Sequence, residues 1–501
     1  MEGLERGGRS PALRIGAFGR FLSYGDSLHM GPAHPFSSMG SSATRAGIAR
    51  RGTSDSATRA KRYAAGKALR GRVPRSSHAS WTPARDRPDP VDLLEQSDRV
   101  RVARLLPIRY GRMSQSPFAF LRGSAAVMAC DLATTPVTGI RVQLCGDAHL
   151  SNFGAFATPE RDQVFDVNDF DETLPGPWEW DVKRLATSLV LAGRQNGLSR
   201  GVQRKAARTA VESYRRSMST YARMRYLDVW YAHIDVGNWP TQVQRQGRED
   251  VRQVLERARR RTGFHAFPKL AEPVRGRYRI RDDPPLIVHY SDLTDAKGST
   301  RFYANYLASL PPERRMLLER YHLVDVAQKV VGVGSVGTVC SVLLLMADRD
   351  VLDPLFLQLK QALPSVLEPY AGASEYPNHA QRVVSGQHLI QEASDAFLGW
   401  STQGSKDFYV RQLRDMSAST DASTLGRKEL VAKGDVCGAA LARAHARTGD
   451  PARVSGYLGG GAAFDEAITH FAEAYANQTQ RDHAALVRAI KKGRLPAETG
   501  I

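Results

Sequence analysis

The sequence predicts an α+β fold in which a large helical part is joined to a smaller, antiparallel, β-rich part. Two observations lead there. Apolar residues recur at helical spacing over Phe118–Leu132, Trp178–Gly193, Arg200–Arg225, Arg248–Arg261, His379–Leu398, Leu430–Ala446 and Phe464–Lys491. Runs with strand character fall instead into two clusters far apart in the chain. The first holds Thr138–Cys145, which alternates, and Val164–Val167; the second holds Asp325–Val330, Val339–Met346 and Leu355–Leu359. No internal repeat is present.

Along the chain these elements suggest five parts. Residues 1–90 form a Ser/Gly/Arg-rich tail that lacks sustained periodicity, and disorder is expected there. Residues 91–245 carry the first strand cluster and its helices. Residues 246–320 read as a helical connection, broken by the Pro/Asp-rich stretch 281–285. Residues 321–420 carry the second strand cluster and a following helix, and residues 421–501 read as helices that pack on the helical part.

Composition narrows the classes. With 501 residues, 42% hydrophobic and 24% charged, the chain is globular in type. No apolar run approaches the ~20 residues needed to span a bilayer, and the first residues lack the layout of a secretory signal. The four cysteines lie far apart, which excludes a disulfide scaffold or a zinc ribbon and points to a reducing, cytoplasmic setting. Net charge is +19, but residues 1–90 hold 16 Lys/Arg against 6 Asp/Glu, so that segment supplies 10 of the surplus and the other 411 residues only 9. The tail therefore reads as solvated, as a targeting leader, or, less in keeping with its few aromatics, as a nucleic-acid arm.

The densest polar constellation is Cys145-Gly-Asp-Ala-His-Leu-Ser-Asn-Phe153, followed by Phe165-Asp-Val-Asn-Asp-Phe-Asp-Glu172. Asp147 and Asn152 have the Asp-x-x-x-x-Asn spacing of a kinase catalytic loop, where the Asp takes the proton of the attacking hydroxyl and the Asn holds Mg²⁺. Asp169 follows as the second metal ligand beside Asn152. Each of these residues is also common in Asx turns. His149 has no partner histidine and reads as a loop-stabilising residue. A Gly-Asp-x-His string also occurs in two-metal phosphoesterases, but their other Asp/His/Asn blocks are missing.

A second constellation is Val330-Val-Gly-Val-Gly-Ser-Val-Gly-Thr-Val339, in which Gly332, Gly334 and Gly337 give Gly-x-Gly-x-x-Gly. A dinucleotide-binding loop would open a helix, whereas the β-branched run after Gly337 reads as a strand. Strand, glycine loop and strand form the hairpin that covers ATP phosphates in kinases, and the next strand ends on Lys360, in the place of the phosphate-binding lysine.

Together these residues resemble the protein-kinase-like superfamily, in particular its aminoglycoside- and choline-phosphotransferase branch. The carriers of the resemblance are Cys145-Gly-Asp-Ala-His-Leu-Ser-Asn152, Asn168-Asp-Phe170 and Asp181-Val-Lys-Arg-Leu185. Cys145 and Leu150 stand where the branch has His and Pro. The chain is more closely similar to the bacterial "domain of unknown function 2252" family over roughly 400 residues, from Ser116–Ala125 and Pro177–Asp181 through Leu355–Glu368 to the C-terminal helices. The resemblance implies a two-lobed kinase-like fold that binds ATP and Mg²⁺ and phosphorylates a small-molecule hydroxyl. Asp147 would be the base, Asn152 and Asp169 the metal ligands, Gly332, Gly334, Gly337 and Lys360 the phosphate binders, and Asp181 a buried acid steadying the catalytic loop. Glu368 or Glu392 would pair with Lys360. Kinases place the glycine loop and lysine before the catalytic loop; here they follow it by about 190 residues, which implies a circularly permuted order with Leu441–Ala446 in the helix that precedes the loop. A pseudokinase or nucleotidyl transferase of the same fold, and a basic nucleic-acid-binding protein, are the alternatives.

Overall fold

Four long helices, Trp178–Gln195, Arg200–Tyr221, Arg427–Thr448 and Ala463–Lys491, close their apolar stripes on one core. Leu185, Leu189, Ala210, Leu441, Phe471 and Tyr475 are buried there, and each large apolar side chain stabilises the fold by roughly 1.5–3 kcal/mol. The computed structural model describes residues 57–235, 256, 263–289, 296–347, 352–413 and 421–501. The expected helix Arg248–Arg261 and residues 1–56 of the expected tail lie almost wholly outside the described residues.

Two short hairpin-like pairs sit on this helical body. β1 (Arg141–Leu144) pairs antiparallel with β4 (Leu174–Pro177), and β2 (Phe153–Ala157) with β3 (Gln163–Val167). Between them lie the two polar loops singled out above, so the first strand cluster is a scaffold for loops rather than a core sheet.

The second cluster is a separate antiparallel sheet of six strands in the order β11-β12-β10-β9-β8-β7. Its members are β7 (Ile287–Val288), β8 (His322–Lys329), β9 (Cys340–Met346), β10 (Pro354–Ala362), β11 (Gly399–Gln403) and β12 (Lys406–Gln412). Along β9, Leu343 and Leu345 pack on Phe302, Tyr306 and Leu318, whereas Val342, Leu344 and Met346 pack on Phe267 and Ile280. Both faces are covered, which is why this strand reads as a continuous apolar run rather than an alternating one. Residues 263–320, expected to be helical, contribute β7 and a hairpin of β5 (Ala271–Val274) and β6 (Arg277–Ile280) as well as the helices Ala296–Ser309 and Pro312–Leu318. The molecule is thus mixed α/β with antiparallel sheets.

Other boundaries differ for local reasons. The expected helix Phe118–Leu132 is two, Pro117–Gly123 and Ala125–Leu132, because Ser124 has φ −118° and ψ 42°. The first of these starts where Ser116 Oγ accepts from Ala119 N at 3.0 Å, with Pro117 at the first helical position. The helix expected to run to Leu398 stops at Ile390, and β11 follows.

Residues 57–90 correct the expectation of a disordered tail. The helix Arg59–Ala68 docks on Pro451–Leu458 through small residues: a Cβ at Gly66 would lie 2.0 Å from Arg453 O, and one at Gly456 2.1 Å from Tyr63 O. Arginines in this stretch are spent on protein carbonyls, Arg70 Nε donating to Tyr457 O at 2.9 Å and Arg75 Nη1 to Leu458 O at 2.7 Å. Close glycine packing and carbonyl-bound arginines, with Leu69 buried in the main core and Val73 and Trp81 packed against it, order this segment, which is what composition could not foresee. Among the described residues no helix is long and apolar enough to cross a membrane.

Candidate functional site

The turn after β1 is held by the acid expected to steady it. Asp181, in the first turn of Trp178–Gln195, is buried; its Oδ2 accepts from Cys145 N at 2.8 Å and lies 3.3 Å from His445 Nε2, and its Oδ1 accepts from Gly146 N at 3.1 Å. Gly146 has φ +83°, and a Cβ there would meet Glu172 O at 2.2 Å, so only glycine fits. His445 belongs to Arg427–Thr448, which places the Leu441–Ala446 stretch directly against the loop.

Asn152 ties that loop to the acidic one. Its Nδ2 donates to Asp147 O at 2.7 Å, and its backbone carbonyl accepts from Asn168 N at 2.9 Å. The β2–β3 pair, with Phe153 opposite Val167, brings Asn152 beside the start of the Asn168–Glu172 segment. Asp147 itself receives the guanidinium of Arg184, one helical turn after Asp181, and His149 Nε2 lies 3.7 Å from its other oxygen. Burial pushes the Asp147 carboxyl up to about 6, with Arg184 opposing and Asp169 adding to the rise. Burial and the Arg122 and Arg184 charges push His149 well below its usual range, so it stands neutral.

The sheet supplies the opposite wall. Lys360, near the end of β10, places Nζ 2.9 Å from Asp171 Oδ2, over the ring of its cross-strand neighbour Tyr409. Tyr409 OH donates to Asp171 Oδ1 at 2.6 Å and Ser335 Oγ to Oδ2 at 2.9 Å. Burial alone would raise the Asp171 carboxyl, but the Lys360 charge and these hydrogen bonds hold it below the ordinary carboxylate range. The acid expected on Lys360 was Glu368 or Glu392. Glu368 instead accepts from Ser365 N at 3.1 Å, and Glu392 faces His233 Nδ1 at 3.3 Å. The helix His379–Ile390 carries no acid at all, and its buried Arg382 donates to Asp171 O and Thr173 O. Lys360 therefore turns to the loop below, and it meets Asp171 rather than Asp169.

The glycine loop joins antiparallel β8 and β9, as the hairpin reading required, with a short 3₁₀ turn at Val333–Ser335. Gly337 has φ +93°; Gly332 and Gly334 have no such need. The loop is fastened through its carbonyls: Arg101 Nη1 donates to Val336 O at 2.8 Å, Arg109 Nη1 to Val333 O at 3.0 Å, and Arg112 to Val331 O. Between the two walls is a cavity of about 60 Å³ lined by Asp147, Asp169, Asp171, Arg122, Gly334 and Thr338, among others.

Sequence reasoning brought Asp147, Asn152, Asp169, Gly334 and Lys360 to this region and missed Asp171, Arg184, Arg101 and Arg122. Arg184 was legible in Asp-x-x-Arg-Leu, since three residues on a helix put both side chains under one loop. Asp171 lay in the quoted acidic string, but the motif there singled out Asp169, and nothing marked Asp171 as the partner of Lys360. Among the described residues no three His, Cys, Asp or Glu side chains are grouped to cage a metal. Asn152 and Asp169 offer hard oxygens, a set that suits Mg²⁺ only when phosphates complete its shell.

No curated protein and no solved structure matches the chain. One family does: "Uncharacterized protein conserved in bacteria (DUF2252)", matched over residues 101–489. That span covers both walls of the cleft and most of the chain, and the protein belongs to the DUF2252 family.

Proposed function

We propose that this protein is an ATP- and Mg²⁺-dependent phosphotransferase of protein-kinase-like fold, with its parts in permuted order, acting on a hydroxyl of a small molecule. The observation that carries this reading is the meeting of Lys360 with the Asp169–Asp171 loop across 189 residues of sequence. A glycine loop between two strands, a lysine on the third and a helix after it are the parts of a kinase small lobe, and they face a loop with the Asp-x-x-x-x-Asn spacing.

Asp147 would accept the acceptor hydroxyl's proton, a role suited to a carboxyl raised to about 6. Asn152 and Asp169 would hold the metal, which when bound neutralises phosphate charge. Lys360 would exchange Asp171 for phosphate oxygens, so the two walls part when a nucleotide enters. The engagement of Asp147 by Arg184 favours a second reading in which nucleotide is bound without activation of an acceptor hydroxyl, as in a pseudokinase or a nucleotidyl transferase.

Thermal unfolding with ATP and Mg²⁺, alone and together, tests the proposal. Stabilisation should require both and should vanish in Asp169→Ala, which removes the charged metal ligand. Equal stabilisation of that variant by MgATP would overturn the assignment.

A further inference from the structure

Most charges around the cleft can be paired off; among the acids the exception is Asp169, which lines the cavity and whose carboxylate accepts, among the described residues, only from Asp171 N at 3.2 Å. Asp147 takes Arg184, and Asp171 takes Lys360. Arg109 faces Asp98 at 3.0 Å and donates to Val333 O and Gly123 O. Arg101 also faces Asp98, at 2.9 Å, and uses Nη1 on Val336 O, which leaves its Nη2 uncommitted. Glu172 accepts from Val366 N, and burial pushes its carboxyl up to about 7, so it is a weak counter-charge near neutrality.

One guanidinium remains. Arg122, at the end of Pro117–Gly123, lines the cavity yet makes no hydrogen bond or ion pair with any described residue, and its Nε is buried and unsatisfied. Burial lowers its pKa even though Asp147, Asp169 and Asp421 pull the other way. A structural arginine in this region looks different: Arg382 distributes its donors over the carbonyls of Thr173, Asp171 and Leu363. Leaving a buried guanidinium without acceptors is costly, and the natural complement to its planar fork is an oxyanion such as phosphate. Arg122 also abuts the glycine loop, since a Cβ at Gly334 would lie 3.1 Å from Arg122 O.

We infer that Arg122, assisted by the free edge of Arg101, forms a phosphate-oxyanion subsite at the glycine-loop end of the cleft. The inference rests on the phosphotransferase reading for the identity of the ligand, though not for the site. Phosphate oxygens reach such a site from two sources, the terminal phosphate of the nucleotide or a phosphate on the acceptor.

The test titrates inorganic tripolyphosphate in EDTA by calorimetry, using wild type, Arg122→Ala, Arg122→Lys and, as a surface control, Arg216→Ala. Arg122→Ala breaks no intramolecular bond and should fold. Affinity should fall roughly 10-fold or more in Arg122→Ala, the scale of one lost charge-assisted hydrogen bond, with smaller loss in Arg122→Lys and none in the control. Absence of tripolyphosphate binding to wild type, or equal binding by Arg122→Ala, would overturn the subsite. MgATP and MgADP then locate the source: a loss in Arg122→Ala confined to MgATP assigns the subsite to the terminal phosphate, and a loss for neither assigns it to the acceptor. Arg122-dependent tripolyphosphate binding in a wild type that ignores MgATP would keep the subsite and remove the kinase reading.

Discussion

Lys360 Nζ and Asp171 Oδ2 lie 2.9 Å apart, joining the third strand after the helical connection to the loop that follows β3. The lysine is almost wholly buried, with 3% of its side chain exposed, while the aspartate retains 27%. The contact is therefore a one-sided seal: its deep partner cannot find water if the shallow one is removed.

Asp171→Ala should accordingly destabilise the protein by roughly 3–5 kcal/mol, the cost of stranding a buried charge. Lys360→Met combined with Asp171→Leu should recover much of that loss, because an apolar pair leaves nothing unsatisfied. Urea denaturation of the two variants checks this; a double variant no more stable than the single would show that the pair's geometry, rather than its charge, matters.

Asp147→Asn should bind MgATP like the wild type but transfer phosphate ~10²–10⁴ times more slowly, the range for losing a general base. In the wild type the rate should climb with pH through about 6 and then level, as the raised carboxyl loses its proton. A coupled ADP-release assay between pH 5 and 8 reads both.

Glu172 gives the stability a pH dependence of defined sign. Its folded-state pKa of about 7 exceeds the ordinary 4.5, so the folded chain holds this proton more tightly than the unfolded one. The contribution is complete below about 4.5 and is lost as pH rises through about 7; Asp147, raised from 3.8 to about 6, adds in the same direction over a lower window. Glu172→Gln should flatten the upper part of that decline. Denaturation midpoints measured from pH 4 to 8 would show it.

Asp181→Ala should remove the acceptor of two buried backbone N–H groups and unfold the Cys145–Asp147 turn before anything else. A loss of roughly 2–5 kcal/mol is expected. Hydrogen exchange should speed up first at Cys145 and Gly146; uniform acceleration across the helical body would contradict a local role.

Much of this was legible in the sequence where the signal was periodic or chemically peculiar. The four core helices, β8, β9 and β10, and the glycine loop between them follow from spacing and from β-branched runs. The buried role of Asp181 follows from its motif. What escaped is what depends on contacts distant in sequence. β2 and β11 are five residues each, and β12, though as long as β9, carries Lys406, Asp407 and Arg411, so all three were masked by neighbouring helical or polar character. The choice of Asp171 over Glu368 is made by where Arg382 and Tyr409 point, and no local pattern carries that information. Arg122 sits in an ordinary amphipathic turn, and its lack of acceptors becomes visible only once the neighbouring arginines and Lys360 have found theirs. The ordered stretch from Arg59 to Ala79 was hidden because glycine, alanine and arginine mimic the composition of a solvated tail.

The helical core has a further consequence, for the order in which the chain can acquire its structure on the ribosome. Residues from Leu144, Leu189, Ala210, Leu441 and Phe471 share a single apolar cluster, so that cluster stays incomplete until the segment ending near Lys491 has emerged. The strands from His322 to Gln412 are nearly continuous in sequence and can pair while synthesis proceeds. The nascent chain therefore holds its sheet early and carries an exposed half-core through most of translation, a state in which unpaired apolar helices invite chaperone capture. Pulling the C-terminal helix away should thus cost the whole helical body, while the sheet, assembled from neighbours, is the part best placed to survive.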